Sequence, residues 1–198
     1  MKKIEIKNKL YITSDLHIGH SNMCLGASKW LNKKECRNFD SINEMNQAIL
    51  NNINTLVKKD DCLIIAGDIV WKSDIYDSFF NDINCENIYI VYGNHDSISL
   101  LKKCNHSSIK YQDWYLEILY KEKHICISHF PFESWNQSQR GSYMLHGHTH
   151  DSRQKDLSFV LDNPKLTMDI GIDTIDELKP YDMDYIIKIM ESKKIIHE

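Results

Sequence analysis

The chain of 198 residues is 42% hydrophobic and 26% charged and carries a formal net charge of −4. This composition is typical of one globular domain with a well-buried core, so we expect a single domain over residues 1–198. The weak negative charge excludes a general attraction to nucleic acids or anionic membranes, and we expect no stable binding to either. No apolar stretch is long enough to span a bilayer and the N-terminus lacks a signal-peptide core, which predicts a cytoplasmic protein.

The first half of the chain alternates strands with helices. Apolar runs typical of buried strands lie at 10–13, 62–66 and 88–92. Residues 41–57 carry apolar side chains every three or four positions, which predicts a helix with Ser41 or Asp40 as its N-cap and a capping box between Ser41 and Glu44. Residues 73–83 also have a helical pattern. The alternation predicts parallel strands joined by right-handed crossovers, with their carboxyl ends at one edge of a sheet.

The second half of the chain contains short strand candidates with few helices between them. They are Trp114–Leu119, Lys123–Ser128, Tyr143–Leu145, Leu157–Val160 and Leu166–Ile170. This spacing predicts a second, mostly antiparallel sheet packed against the first. A connection followed by a strand or a short helix is expected near the C-terminus. We therefore predict an α/β fold in which two sheets share one core.

Side chains able to bind metals gather where the predicted strands end. They are Asp15, His17, Asp68, Asn94, His95, Asp96, His129, His148 and His150. In parallel sheets ligands bind beyond the carboxyl ends of the strands, so one cleft could collect them. Carboxylate, amide and imidazole donors without thiolates suit Mn²⁺, Fe²⁺ or Zn²⁺. The spacing of Asp15 and His17, and of His148 and His150, predicts that each pair points to one side of extended backbone.

The order of these motifs, D-x-H, G-D, G-N-H-D, a lone histidine and G-H-x-H, resembles that of the calcineurin-like metallophosphoesterases between Asp15 and His150. The segments SDLHIGHSN, SHFPFESW, RGSYMLHGHTH and MDIGID further resemble the small bacterial and phage-type members. The segment Arg37-Asn38-Phe39 often reads Arg-Pro-Phe in those proteins, so Asn38 should alter the local backbone and not the ligand set. The resemblance implies a four-layer αββα sandwich, with two mixed β-sheets flanked by helices.

The resemblance also implies a site with two divalent ions, with Mn²⁺ favoured and Fe²⁺, Zn²⁺ or Ni²⁺ as alternatives. One ion would be held by Asp15, His17, Asp68 and His150. The other would be held by Asp68, Asn94, His129 and His148, with Asp68 bridging the two. Phosphate esters would then be hydrolysed by a hydroxide that bridges the ions. His95 would act as general acid or as a cation at the leaving oxygen, and Asp96 would orient its ring.

The substrate is less well defined by the sequence. His20, Arg37 and Arg140 could bind phosphate oxygens, although a solvated surface position is an equal alternative for either arginine. Trp135 and Tyr143 could stack on a ring, but packing in the second sheet is favoured. We expect a phosphodiesterase or a broad phosphatase acting on small or nucleotide-type esters. The alternative is a non-catalytic binding module with the same fold, which would be expected to have lost ligands or His95.

Overall fold

The computed structural model describes residues 3–71, 75–104, 106–150, 165–175 and 177–193. Within these ranges the chain forms ten strands and four α-helices. The strands are β1 (Ile4–Ile6), β2 (Leu10–Thr13), β3 (Cys62–Ile65), β4 (Ile88–Val91), β5 (Ile109–Asp113), β6 (Tyr115–Tyr120), β7 (Lys123–Ser128), β8 (Tyr143–His146), β9 (Thr167–Asp169) and β10 (Tyr181–Asp182). The helices are α1 (Ile42–Leu56), α2 (Tyr76–Asn81), α3 (Ile98–Cys104) and α4 (Met183–Ser192).

The first sheet has the strand order β10-β2-β3-β4-β5. Strands β2 to β5 run parallel, and β10 adds an antiparallel edge beside β2. The three predicted parallel strands are confirmed, while β5 and β10 were not predicted as members of this sheet. The N-cap of helix α1 is Ser41, whose side chain accepts a hydrogen bond from the Glu44 backbone while the Glu44 carboxylate accepts one from the Ser41 backbone. The predicted capping box is therefore confirmed.

The second sheet has the strand order β1-β6-β7-β8-β9. Only β6 and β7 pair antiparallel, whereas the other three pairs are parallel, so the prediction of a mostly antiparallel sheet was wrong. The physical reason is the length of the connections. In the part of this sheet that the structure describes, only Lys121 and Glu122, both with positive φ, form a two-residue hairpin, and the longer connections return the chain to a parallel neighbour. The predicted strand at 157–160 lies outside the described residues.

The two sheets pack face to face around a shared apolar core. Leu10, Ile12 and Ile64 of the first sheet belong to the same buried cluster as Ile118 and Ile127 of the second. Helix α4 contributes its apolar face to this cluster. On the opposite face of the first sheet, α1 and α2 cover a second buried cluster. The predicted α/β sandwich of two mixed sheets flanked by helices is confirmed.

No helix in the described part of the chain is both long and apolar enough to cross a lipid bilayer.

The carboxyl ends of the central strands of both sheets meet at one place. Ser14, directly after β2, forms a parallel bridge with Gly171, two residues beyond β9. The carbonyl of Ser14 accepts a hydrogen bond from the amide of Ile172 at 2.9 Å. The amide of Gly147 after β8 donates to the carbonyl of His129 after β7 at 3.0 Å. The loops that carry the candidate ligands are therefore tied together across the two sheets.

A buried polar network attaches the connection between β7 and β8 to the outer face of the second sheet. The carboxylate of Glu117 accepts hydrogen bonds from Tyr115 at 3.1 Å, from Asn136 at 3.1 and 3.0 Å, and pairs with Nε2 of His124 at 2.9 Å. Burial by itself would raise the pKa of Glu117, but the hydrogen bonds from Asn136, His124 and Tyr115 hold it below its ordinary value. This network fixes the segment that follows His129.

Replacing Glu117 by Gln should lower the free energy of unfolding at pH 7 by roughly 1–3 kcal/mol, because charge-assisted hydrogen bonds inside the protein are lost. A carboxylate with a lowered pKa in the folded state stabilises above its unfolded pKa and loses that effect as the pH falls through the folded pKa. Urea denaturation of both proteins at pH 7 and in acid should therefore show the smaller loss on acidification in Glu117→Gln. Exposed Glu133, which pairs with Lys165, is the control, and Glu133→Gln should leave stability nearly unchanged. Equal acid sensitivity of wild type and Glu117→Gln would contradict the assignment.

Candidate metal centre

One group of candidate ligands converges between the loop after β2 and the loop after β8. Nε2 of His17 lies 3.1 Å from Nε2 of His150 and 3.7 Å from Oδ2 of Asp68. Nε2 of His150 lies 3.6 Å from Oδ1 of Asp15. One ligand atom from each of Asp15, His17 and His150 falls within 4.8 Å of the others. These distances leave room for a single cation among them.

A second group converges beside the first. Nε2 of His129 lies 3.5 Å from Oδ2 of Asp68 and 3.0 Å from Oδ1 of Asn94. Asp15, Asp68 and His129 also bring one ligand atom each within 4.8 Å. Asp68 is therefore within about 4 Å of imidazoles of both groups, which is the position required of a bridging carboxylate.

The arrangement of the candidate ligand atoms fits a bound cation. Nδ1 of His129 lies 2.9 Å from the Ala66 carbonyl oxygen, which can only accept, so this nitrogen carries the proton. In the neutral ring Nε2 then presents a lone pair to the oxygens of Asn94 and Asp68. His150 repeats the arrangement, because its Nδ1 lies 2.9 Å from the carboxylate of Asp173. A divalent cation in place of a ring proton would satisfy Nε2 of His129 and its two oxygen neighbours, and the residues present fit such an ion.

Burial would lower the pKa values of His129 and His150, but their hydrogen bonds to Asp68 and Asp173 raise both, so a metal ion must displace a ring proton from each. Burial raises the pKa of Asp15 to about 6, and burial lowers the pKa of His17 to about 3. Burial alone would raise the pKa of Asp68 as well, but hydrogen bonding to His129 and its charge bring it to about 2. Near neutral pH the centre thus offers ionised carboxylates and the neutral imidazole of His17, which are the forms that bind metals.

His148 and Asn94 lie at the exposed rim of the group. The backbone amide of His148 donates to Oδ2 of Asp15 at 3.0 Å, and its ring centroid lies 5.1 Å from that of His129. The His148 ring belongs to neither of the close groups, although it lies on the side of His129 and Asn94. The structure thus collects the sequence-predicted ligands in one cleft, with these two closest to solvent.

Most of the candidate ligands have left-handed backbone conformations. Positive φ angles occur at five of them: Asp15 (57°), His17 (50°), Asp68 (53°), His148 (70°) and His150 (43°). The expectation of extended backbone at the pair Asp15 and His17 and at the pair His148 and His150 was therefore wrong. Each loop turns sharply where its strand ends, and both members of the Asp15 and His17 pair still reach the same group. Such non-glycine conformations cost roughly 1 kcal/mol each and cluster at functional sites.

Glycines allow the loops to approach the carboxylates closely. A side chain on Gly93 would collide with the carboxylate of Asp68, and one on Gly147 would collide with the Ser14 hydroxyl and the carboxylate of Asp15. The sequence spacing marked the histidines around Gly147, but only the packing shows why this position must lack a Cβ.

Arg37 does not face the cleft. It is 5% exposed, and its guanidinium donates to Asp173 at 2.7 and 3.0 Å, to the Leu16 carbonyl at 2.6 Å and to the Asp15 carbonyl at 2.7 Å. The expectation that Arg37 binds substrate phosphate is corrected, because its donors are engaged inside the protein. It holds the first ligand loop and the carboxylate behind His150.

Asp173 is a site residue that sequence reasoning missed. Its carboxylate accepts from both Arg37 and Nδ1 of His150, so it fixes the ring orientation of a candidate ligand. Burial would raise the pKa of Asp173, but the Arg37 charge holds it well below its ordinary value. The available signal was its place in MDIGID, shortly after β9, since the other site carboxylates also follow strand ends.

The remaining substrate candidates lie outside the metal group. His20 is 6% exposed and its ring stacks under Trp71, and burial lowers its pKa to about 4, so it is not a cation for phosphate. Arg140 lies exposed in a turn between β7 and β8. Tyr143 is buried and Trp135 donates to the Ser142 carbonyl, which agrees with the favoured packing role for these two aromatics.

The side chains of the neighbouring residues His95 and Asp96 make different contacts. The His95 side chain is 41% exposed, and its Nε2 lies 3.9 Å from Oδ2 of Asp68. The Asp96 carboxylate accepts hydrogen bonds from the amides of Asp68, Ile69 and Gly93 and from the Tyr76 hydroxyl, all between 2.8 and 3.1 Å. These contacts do not include the His95 ring, so the geometry corrects the expectation that Asp96 orients it. Asp96 instead joins the loops after β3 and β4.

The chain is similar to several known proteins. A model of the family described as calcineurin-like phosphoesterase matches residues 9–188. The uncharacterized protein MJ1445 of Methanocaldococcus jannaschii is 27% identical over 192 residues, which cover 95% of this chain and 94% of the relative. The crystal structure of AQ665, a protein of unknown function from Aquifex aeolicus, superposes with a TM-score of 0.67 at 20% identity, over 92% of this chain and 100% of that chain. A novel archaeal phosphodiesterase gives a TM-score of 0.45 at 19% identity, over 82% of this chain and 83% of that chain.

Replacing Gly147 by Ala should lower the bound metal per chain, because the new methyl group displaces Asp15 or the loop after β8. Elemental analysis of reconstituted protein measures this. Gly141→Ala is the matched control, since Gly141 has a φ of 81° but a Cβ there meets no atom within 4 Å. The control should lose about 1–2 kcal/mol of stability from backbone strain and keep its metal. Full metal content in Gly147→Ala would show that the close approach is unimportant.

Replacing Asp173 by Asn should weaken metal affinity roughly 10–100-fold, because the carboxylate that orients His150 is lost. Competition with a chromogenic chelator measures the affinity. Asp184→Asn removes a carboxylate that pairs with exposed Lys121 and should leave the affinity unchanged. An Asp173→Asn protein that binds metal as tightly as the wild type would disprove the role of Asp173.

Proposed function

The chain belongs to the calcineurin-like phosphoesterase family, and from this premise we propose that it hydrolyses phosphate esters at a centre of two divalent metal ions. The observation that carries the proposal is the contact of His129 Nε2 with Asn94 and Asp68, together with that of His150 with His17. At His129 a lone pair of the neutral ring faces two oxygen acceptors, and nearby the Nε2 atoms of His17 and His150 meet in the same cleft. Such an arrangement is stable when a cation lies between them.

We assign the ligands in two overlapping sets. Asp15, His17, Asp68 and His150 hold one ion. Asp68, Asn94, His129 and His148 hold the other, and Asp68 serves both. The mixed oxygen and nitrogen donors favour Mn²⁺, with Fe²⁺, Zn²⁺ or Ni²⁺ as alternatives. When bound, two such ions supply Lewis acidity toward the phosphoryl oxygens and a nucleophile near neutral pH.

His95 is assigned to the leaving group. Its backbone amide donates to Oδ1 of Asp68 at 2.9 Å, which fixes the residue beside the bridging carboxylate while its ring reaches solvent. Held in this way, Nε2 or Nδ1 can give a proton to the oxygen that departs from phosphorus. A non-catalytic binding module would be expected to have lost His95, and its presence favours catalysis.

The cleft has an accessible rim at which a substrate can enter. Asn94, His95 and His148 are exposed, so an ester can approach the centre from solvent. We assign a phosphodiesterase or a broad phosphatase activity on small or nucleotide-type esters. Arg37 is engaged inside the protein and adds no charge for a second phosphate.

Metal-stripped protein resupplied with Mn²⁺ should hydrolyse bis-p-nitrophenyl phosphate or p-nitrophenyl phosphate. Asp68→Asn should lose both metal and turnover, because the shared ligand is weakened. His95→Gln should keep two ions per chain and lose turnover by roughly 10²–10⁴-fold, the usual effect of removing a general acid. Absorbance assays and elemental analysis on the same samples separate the two effects.

His106→Gln is the matched control, since His106 contacts Asn81 away from the centre and should retain full turnover. Wild-type turnover in His95→Gln would contradict its role at the leaving group. Absence of turnover of both esters by wild type with two ions bound would favour the binding-module alternative.

A further inference from the structure

Trp71 forms an exposed aromatic surface at the edge of the candidate metal centre. It lies three residues after Asp68 and is 43% exposed. The ring of buried His20 lies parallel to its indole, with an interplanar angle of 1° and a centroid distance of 3.6 Å. One face of the indole is thus backed by a protein ring. We call Trp71 together with His20 the indole platform.

The backbone holds the indole platform in place. The amide of Trp71 donates to the carbonyl of Ile18 at 2.8 Å, and Val70 forms a parallel bridge with Ile18. These contacts join the loop after β3 to the loop after β2, which carries His17 and His20. The indole is therefore anchored to the same two loops as the candidate ligands, and the stacking partner beneath it limits rotation of its side chain.

The indole platform lies beside the residue assigned to the leaving group. The ring centroids of Trp71 and His95 are 4.7 Å apart, with an interplanar angle of 46°. The centroid of His17 lies 6.3 Å from that of Trp71. A group attached through the oxygen that His95 protonates would therefore pass over or against the indole. This step rests on the proposed function.

Exposure of a large aromatic side chain to water is unfavourable, so a ligand that covers it is stabilised. Stacking on tryptophan stabilises flat rings and tolerates any nucleobase, because every base has a π face. Further apolar surface lies nearby, since Trp30 is 37% exposed and packs edge-on against His20. An alkyl chain would cover these surfaces less well than a flat ring.

The geometry points to a nucleobase, in the leaving group of the phosphate ester, stacked on the indole platform. Trp71 thereby sets specificity for nucleotide-type esters over sugar phosphates of the same charge. Phe130 provides a contrasting aromatic wall, because it is 37% exposed and its ring lies 4.6 Å from that of His148, on the opposite ligand set.

The test compares two ligands with a carbon–phosphorus bond that resists hydrolysis, the phosphonate analogues of adenosine 5′-monophosphate and ribose 5-phosphate. Calorimetry on Mn²⁺-reconstituted wild type should show the adenosine ligand binding roughly tenfold or more tightly. Trp71→Leu should remove that preference and leave the affinity for the ribose ligand unchanged. Trp71→Phe should retain part of it. Trp114→Leu, at an exposed tryptophan that packs on Tyr92, should behave as wild type.

Three results would overturn the inference. The first is the absence of a base preference in wild type, and the second is an undiminished preference in Trp71→Leu. The third is an equal loss of affinity for both ligands in that variant, which indicates a purely structural role. A preference lost in Phe130→Leu with Trp71→Leu unaffected would place the base on the other wall and also overturn it. Failure of the proposed function is a separate result, because it is read from turnover of bis-p-nitrophenyl phosphate and not from the ratio of the two affinities.

Discussion

The burial of two carboxylates, Asp15 and Asp68, is the constraint on which the rest of the site depends. Both lie where the strand ends of the two sheets meet, and they are 0% and 2% exposed. Buried charges must be paired or hydrogen-bonded, because leaving them unsatisfied is costly. Asp15 accepts the amide of His148 from the second sheet, and Asp68 accepts the amide of His95 from the first. The carboxylates thus connect the loops of both sheets while keeping oxygens free for cations.

The second layer of contacts keeps these loops in strained conformations. Arg37 holds the carbonyls of Asp15 and Leu16, and Asp96 holds three amides of the neighbouring loops. Positive φ angles at the ligands are tolerated because the surrounding hydrogen bonds leave few alternatives. The strained backbone lowers the stability of the fold, but the candidate metal-binding side chains are already oriented before a ligand arrives. Arg37 and Asp96 thus act as positioning residues. The sequence motifs alone predicted a substrate contact for Arg37 and a catalytic partner for Asp96.

Much of the fold was predictable from local pattern. Continuous apolar runs marked the central strands of the first sheet, and the capping box marked the start of α1, because both signals depend on neighbouring residues. The direction of strand pairing in the second sheet was not predictable in this way. Strands β8 and β9 are short, and the pairing of β7, β8 and β9 depends on where long connections return the chain. Strand β5 and the split of the N-terminal segment between two sheets likewise depend on distant partners.

The sequence by itself determined the family and the chemical types of the candidate ligands, because motif order and residue identity survive without knowledge of distances. It also determined that these side chains follow strand ends. Only the tertiary structure decided which donors face one another, that Arg37 is turned inward onto Asp173, and that Trp71 is backed by His20 beside His95. The physical reason is that these relations join residues far apart in the chain. They are fixed by the meeting of two sheets and not by local conformational preference.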